Sequence, residues 1–502
     1  MAVDAEPPQP SRRPELVALV IATVLCGLHL ILKPRTGTDI AAQIARTSFA
    51  EAHPWTPVDL SWYAGVHPFG YSLLSPYVMA AVGIGLTGLL AAIAMAVLLA
   101  RLLRDTAHPI AGSALGAFFA VANTVSGRTT FALGAVAALA ALALLPRRGP
   151  AIVAAALSGL FSPVAAAFLG LAAAVLVLHR RPGGWPTGLA ASLPVAVMAW
   201  LFPAGGVQPY ELGSAPYAVL AGLVLAGLTH SPLLRTGGLL YAFAAGVLVL
   251  ASDPFGSNIL RLGLLVAAPL VVATATEHWR IVVPVAALLV FWQVQPSYSD
   301  LREARPPSFV ALNDTLVELG VTRIEVVPLR DHGEAAYVAP VVPLARGWSR
   351  QIDTARNPLF YHGPLSAQDY RQWLVDTGVD AVALGPSARA DGGGRQERAL
   401  LLIGSVKGLE RVWSDDQWTV WRFDAGTIAD PPVEVLDTDR TTVTLRSPVE
   451  TDVLLKVQWS RWLTVDGPAC VEKDGTATRL RFSGPGEAVV SSAFSLSPKG
   501  HC

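Results

Sequence analysis

The chain has 502 residues and balances 37 basic against 37 acidic side chains, for a formal net charge of zero. Hydrophobic residues make up 52% of it and charged ones only 15%, with a mean hydropathy of +0.47. The charge balance, with no basic tract, excludes a nucleic-acid partner, and the hydropathy excludes an ordinary soluble enzyme. From Glu15 to about Gln295 the sequence is nearly all Ala, Leu, Val and Gly, whereas Asp, Glu, Arg and Trp become common from Ser297 onward. That shift predicts a polytopic α-helical membrane domain at 16–296, behind a cytoplasmic tail at 1–15, and a water-exposed part after it.

Arg12 and Arg13 precede a long apolar stretch, as in a signal peptide. Leu30-Ile31-Leu32-Lys33 offers no small-residue cleavage site, so the stretch is expected to stay as a first span. Cys26 within it reads as a small apolar filler. Candidate spans are 16–33, 85–103, 109–125, 130–146, the short pair 151–162 and 164–178, 186–203, 215–229, 234–251, 258–275 and 280–295, eleven in all. A crossing helix needs about 20 residues, fewer where the bilayer thins. Arg12, Arg13, Arg101, Arg104, Arg147, Arg148, Arg180, Arg181, Arg235 and Arg280 then share one side, and Asp39, Glu51, Asp59, Glu211 and Asp253 the other. The positive-inside rule puts the arginines in the cytoplasm of a plasma-membrane protein. The external loop 34–70, counted with the membrane domain, and the C-terminal part then lie outside. Tyr71 to Ile84 is apolar but short and holds Pro76; as a full span it would reverse every later loop. It is therefore expected to be a re-entrant or interfacial helix on the outer side, a break tolerated where protein or a water-filled cavity surrounds the backbone.

The exposed part divides at about residue 430. Leu312 to Val321 leading into Ile324-Glu325-Val326-Val327, and Tyr370 to Val379 leading into Ala381-Val382-Ala383-Leu384, each read as helix, glycine stop and buried strand. They predict an extracytoplasmic α/β domain at 297–430, with Asp391-Gly392-Gly393-Gly394 as a flexible turn. From Pro431 the pattern alternates, as in Thr442 to Leu445, Val453 to Val457 and Arg479 to Phe482, and predicts a small β-sandwich at 431–502. Trp418, Trp459 and Trp462 are expected to fill cores rather than stack on glycan. Cys470 and Cys502 are a disulfide candidate if this part lies outside the cytoplasm.

Asp39, in Thr36-Gly37-Thr38-Asp39 just past the first span, is the residue most suggestive of chemistry. A carboxylate held where lipid meets water is costly, so it has a partner or a job. It fits a general base acting on a substrate delivered from the bilayer, or more plainly the cap of a helix Asp39 to Ala52. Ser61 to Ser72 follows, where Trp62 and Tyr63 offer a stacking face for a sugar and His67 a donor to phosphate. An aromatic belt and a plain surface histidine are the simpler alternatives. Arg128 lies in the turn between two spans; Asn258 and Arg261, three apart, share a helix face. Guanidinium groups there either snorkel or clamp a lipid-linked phosphate. No Walker A loop, His-Glu-x-x-His or metal-spaced Cys/His cluster occurs in the sequence. Nor is there an obvious internal duplication or a buried acid–base pair of a proton-coupled carrier.

A first span, a large external loop opening with an acid, many short spans and an external C-terminal part together resemble the GT-C glycosyltransferases. Gly37-Thr38-Asp39, Trp62 to Gly65, Gly70-Tyr71-Ser72, Gly127 to Gly134, Gly256 to Leu262 and Gly347-Trp348-Ser349-Arg350-Gln351-Ile352-Asp353 look like an actinobacterial family of large GT-C-like membrane proteins. The resemblance implies inverting transfer from a polyprenyl-phosphate-linked sugar donor to a glycan or glycolipid acceptor on the extracytoplasmic face. It makes Asp39 the catalytic base; Trp62, Tyr63, His67, Arg128, Asn258 and Arg261 remain the substrate-binding candidates on their own chemistry. Family members often pair two acids at this site; Glu51 and Asp59 are the nearest second acids in this chain. No cofactor is expected, with a divalent cation left open. The alternatives are a transporter or flippase, and a non-catalytic envelope-assembly scaffold.

Overall fold

The computed structural model describes residues 12–32, 37–210, 212–275, 279–301, 307–386, 392–495 and 499–502; Lys33, Thr36, Glu211 and Asp391 lie outside the described residues. The chain forms two compact units. One comprises Met1–Gly37, Val82–Met198 and Gln208–Arg302, the other Thr38–Ala81, Ala199–Val207 and Glu303–Cys502.

The first unit is helical. Among the described residues, six helices are long and apolar enough to cross a membrane: Arg13–Leu32, Ile84–Leu103, Gly184–Leu201, Pro232–Leu250, Gly256–Thr274 (opening with a 3-10 turn) and Trp279–Leu301. Five shorter apolar helices accompany them: Pro109–Val125, Thr129–Ala143, Arg148–Phe161, Pro163–Leu178 and Ala215–Leu228. The chain is therefore a membrane protein, with aliphatic side chains such as Ile31, Leu32 and Leu250 turned outward. Because lipid tails are as apolar as leucine, such helices associate through close packing at small residues. A Cβ on Gly222 would stand 2.5 Å from Gly238 O, and one on Gly112 2.5 Å from Ala273 Cβ. Cys26 is buried and unpaired by disulfide, as a filler should be. The last helix runs through Pro296 to Leu301, past the expected domain end at 296. Ser297 Oγ, just beyond that proline, donates to Ala122 O at 3.0 Å and ties this turn to its neighbour.

The helix Ser75–Val82 has eight residues, too few to cross a bilayer at 1.5 Å per residue. Gly83, at φ 90°, breaks the chain before Ile84.

The second unit holds a mixed sheet of β1 (Ile324–Val326), β2 (Ala381–Leu384), β3 (Leu409–Ser414) and β4 (Thr419–Phe423), in the order β1-β2-β4-β3. β1 and β2 pair in parallel, each preceded by a helix, Val310–Glu318 and Ala367–Thr377. Gly378 ends the second of these helices with a left-handed φ of 70°, and a Cβ there would meet Thr427 O. One expectation fails locally: Gly392 to Gly394 begin the helix Gly392–Ile403 rather than a flexible turn. That helix earns its place by burying Glu397 and Leu401 against the sheet domain, which outweighs the poor helix propensity of three glycines.

Two antiparallel sheets follow: β5 (Glu434–Thr438), β6 (Val443–Ser447), β11 (Gly486–Ser492) and β8 (Leu463–Asp466) in the order β5-β6-β11-β8, and β7 (Thr451–Gln458), β10 (Ala477–Phe482) and β9 (Ala469–Asp474) in the order β7-β10-β9. Val453, Leu455 and Val457 alternate inward along β7, the period of a half-buried strand. Cys470 and Cys502 form a disulfide with Cα atoms 5.2 Å apart. Trp418 and Trp462 are buried, whereas Trp459 is half-buried against His501.

The loop expected to belong to the membrane domain does not. Residues from Thr38 onward pack into the second unit, where Leu344 N–H donates to Ser61 O at 2.9 Å and Leu60 N–H to Arg440 O at 2.8 Å. Its apolar side chains need a core, and Leu312, Ile324, Leu344 and Trp418 supply one.

Candidate functional site

In the second unit, the helix Asp39–Ala52 buries Ala42, Ala45 and Phe49, three and four residues apart on one face. The small alanines let it sit close to the core. Asp39 and Arg46, seven apart, lie two turns from each other on another side. Asp39 is half-buried and occupies the first helical turn, where the helix dipole favours its ionised form. The N-cap is Thr38, so Asp39 is not the capping residue. Arg46 lies over the Tyr71 ring at 3.6 Å and 5.5 Å from the Trp62 ring. Loss of water lowers the Arg46 pKa, opposed by Tyr71, Tyr63 and the Asp39 carboxylate. Trp348 Nε1 donates to Thr38 O at 3.0 Å, which fixes the start of this helix. Arg46, Tyr71 and Trp348 were not singled out from sequence; Tyr71 and Trp348 lie in two of the short family-like motifs, and Arg46 has only its seven-residue spacing from Asp39.

Three expected substrate contacts are structural instead. Trp62 and Tyr63 are each only 3% exposed. Trp62 Nε1 donates to Ala335 O at 3.3 Å, and a Cβ on Gly347 would stand 2.5 Å from the Trp62 ring. Tyr63 OH donates to Gly347 O at 2.7 Å and accepts from Ser349 N–H at 3.2 Å, and burial pushes its phenol pKa well up. Rings with both faces and polar tips engaged cannot stack on a sugar. His67 Nδ1 donates to Pro203 O at 3.2 Å, while Nε2 pairs with Ser460 Oγ at 2.9 Å. Burial lowers the His67 pKa, so it stays neutral and ties loops together rather than meeting phosphate. Trp62→Phe should accordingly lower the unfolding free energy by about 1–2 kcal/mol through the lost N–H bond and packing. Donor KM should not change; a raised KM at unchanged stability would restore Trp62 to the binding site.

Neither second acid serves. Asp59 is buried, accepts from Ser61 N–H at 2.9 Å and stands 3.8 Å from Arg440; burial raises its pKa. It is a core polar anchor. Glu51 is exposed, twelve residues from Asp39 on the same helix, about 18 Å at 1.5 Å per residue.

In the first unit, Arg128 and Arg261 line one small cleft of about 20 Å³, room for about one water, with Asn123, Ser126, Gln293 and Ser297. Arg128 is the N-cap residue of the helix Thr129–Ala143, and Arg261 lies 5.8 Å from the Phe131 ring. Asn258 is buried in the 3-10 turn Gly256–Ile259 and does not line that cleft, so its expected partnership with Arg261 is not met there. Leu265 lines both this cleft and a second, larger cavity of about 680 Å³. The larger cavity is mainly apolar, bounded by Phe131, Phe168, Leu169, Tyr241 and Val266 among others, with Asp105, Thr106 and His230 also on its wall. Two like charges drawn to one cleft beside a helix N-terminus favour an anion there, and the adjoining space favours an apolar chain. Among the described residues there is no group of three or more His, Cys, Asp or Glu that could hold a metal ion.

No protein-family model matches this chain, and no match to it is found among curated proteins.

Proposed function

We propose that the chain is a GT-C-like membrane glycosyltransferase that moves a sugar from a polyprenyl-phosphate donor to a glycan or glycolipid of the cell envelope. The observation that carries this reading is the adjacency, in the first unit, of a cleft lined by two guanidinium groups and a large apolar cavity. The two guanidinium groups match the charge of an anionic head, though their cleft must widen beyond its one-water volume to admit a phosphate, and the large cavity matches a long hydrocarbon tail. The acceptor hydroxyl attacks the anomeric carbon from the side opposite the phosphate, the new C–O bond forms as the anomeric C–O bond to phosphate breaks, and polyprenyl phosphate leaves. Each unit by itself offers one part of this chemistry: in the second, Asp39 is the candidate base for the hydroxyl proton, and in the first, Arg128 and Arg261 are the candidates to meet the charge on the departing phosphate. The finer topology belongs to the same proposal: eleven spans, arginine-rich ends in the cytoplasm and the second unit outside the plasma membrane. The Cys470–Cys502 disulfide supports an oxidising location for that unit.

Membranes containing the chain, supplied with radiolabelled polyprenyl-phosphate mannose, glucose and arabinofuranose, should yield a labelled envelope product that is missing without it. Arg128→Gln or Arg261→Gln should each raise donor KM about tenfold or more, since a charge-assisted bond to phosphate contributes about 1.5–3 kcal/mol. Unchanged donor KM in both variants would remove the clamp. The cavity also reaches Thr106 and His230, away from the arginine cleft, which favours a lipid carrier as the second reading. Lipid or solute movement with no sugar transfer would favour that reading.

A further inference from the structure

His332 and Glu334 sit at the start of a short helix, Gly333–Tyr337, that packs against the helix Asp39–Ala52, and take no part in the reaction just described. His332 caps that short helix. Its backbone is left-handed, φ 53° and ψ 31°, a conformation that costs a non-glycine residue free energy and persists only when surroundings enforce it. Two contacts enforce it here. The imidazole lies flat on the Trp348 ring, centroids 3.5 Å apart and planes at 14°. Its Nδ1 stands 3.2 Å from Glu334 Oε1.

The carboxylate also fixes the tautomer. Glu334 Oε2 accepts from Leu329 N–H at 3.3 Å, which leaves Oε1 as the acceptor facing Nδ1 and places a hydrogen on Nδ1. In the neutral ring Nε2 then presents a lone pair. Among the described residues no hydrogen bond engages Nε2, and it is not among the buried polar atoms sealed without a partner. Trp348 in turn donates to Thr38 O, one residue before Asp39. An unbroken series of contacts thus runs from Glu334 through His332 and Trp348 to the start of the Asp39 helix. A histidine that merely filled space would need neither the strained backbone nor an orienting carboxylate.

We propose that His332 is a substrate-contacting residue of the Asp39 site, whose Nε2 accepts a hydrogen bond from a sugar hydroxyl, with Glu334 as the positioning residue that sets its tautomer. The inference rests on the transferase reading and narrows it: the ligand beside Asp39 is polyhydroxylated, not simply a lipid or an anion. The hydroxyl belongs either to the transferred sugar or to the acceptor glycan.

The test uses the full chain in membranes with whichever of the three labelled donors the wild type accepts, and the corresponding monodeoxy donors. Asn tolerates the left-handed backbone and removes the reach of Nε2, whereas the Gln amide oxygen approximates its place. His332→Asn should lower kcat/KM about tenfold to a hundredfold with the thermal midpoint unchanged, and His332→Gln should recover part of the loss. A donor hydroxyl would appear as a raised donor KM in His332→Asn, with one deoxy donor no longer penalised relative to its parent. An acceptor hydroxyl would appear as a lower kcat at saturating donor with donor KM unchanged. Wild-type kinetics in both variants, or equal losses that track a lowered thermal midpoint, would overturn the proposal while leaving the transferase reading intact. Failure of the wild type to use any donor would overturn both.

Discussion

Asp39→Asn is expected to abolish sugar transfer while membrane insertion and folding stay normal. The carboxylate is half-buried on the first turn of its helix, outside the packed face of Ala42, Ala45 and Phe49, so an isosteric amide disturbs no core contact. What the amide lacks is a lone pair basic enough to take a hydroxyl proton. A positioned base contributes about 10²–10⁴-fold, and loss of the whole factor would put turnover below detection in a membrane assay. Arg46 adds to the expectation, because the Asp39 charge attracts its guanidinium and an amide would lose that attraction. The variant should still bind donor, since Arg128 and Arg261 are untouched. Full turnover by Asp39→Asn would remove the base assignment, whatever the fate of the rest of the scheme.

Arg346→Ala should destabilise the second unit by about 3–5 kcal/mol, the usual cost of breaking a buried ion pair from one side. Arg346 lies beneath the sheet over the Phe360 ring at 3.7 Å. Its Nε donates to Glu325 Oε1 at 2.8 Å and its Nη2 to Glu397 Oε2 at 2.6 Å, and Nη2 also meets Glu325. Tyr370 OH donates to Glu397 Oε1 at 2.7 Å. One guanidinium thus serves two buried carboxyl groups. Burial, with the Glu397 charge adding to it against Arg346, holds Glu325 well above the usual carboxylate range. The folded state therefore binds more protons than the unfolded chain once pH exceeds the ordinary glutamate value, so this group's contribution falls as pH rises through the folded pKa. Glu325→Gln should be nearly neutral at pH 7 and flatten that dependence. Unfolding followed by tryptophan fluorescence in detergent at several pH values reads both effects. An Arg346→Ala protein as stable as wild type would show that the cluster is hydrated rather than buried.

The helical membrane part was legible because its apolar stretches are long and their ends carry arginine. The two helix–glycine–strand units and the alternating strands after Pro431 were legible because periods of 3.6 and 2 are local properties. The fate of the Asp39 loop was not. Ser61 meets Leu344 and Leu60 meets Arg440, pairings hundreds of residues apart that no local pattern announces. Trp62, Tyr63 and His67 were misread for the same reason: in a loop, an aromatic ring that fills a distant core looks like one that faces a ligand. Arg128 and Arg261 do share a cleft, as their positions beside adjoining span ends suggested, whereas Asn258 is withdrawn into its 3-10 turn. His332 left no trace in the sequence, since its left-handed backbone and its Trp348 stack arise only from tertiary packing.

The interleaving of the two units also bears on biosynthesis. Trp62 and Tyr63 leave the ribosome long before Leu344, Trp418 and Arg440, the residues that enclose this loop. Throughout translation of the intervening helices, the nascent 38–81 segment must therefore remain without its native shelter, as incomplete domains of large chains do. Chaperones or the insertion machinery would have to guard these aromatic side chains until the last third of the polypeptide emerges.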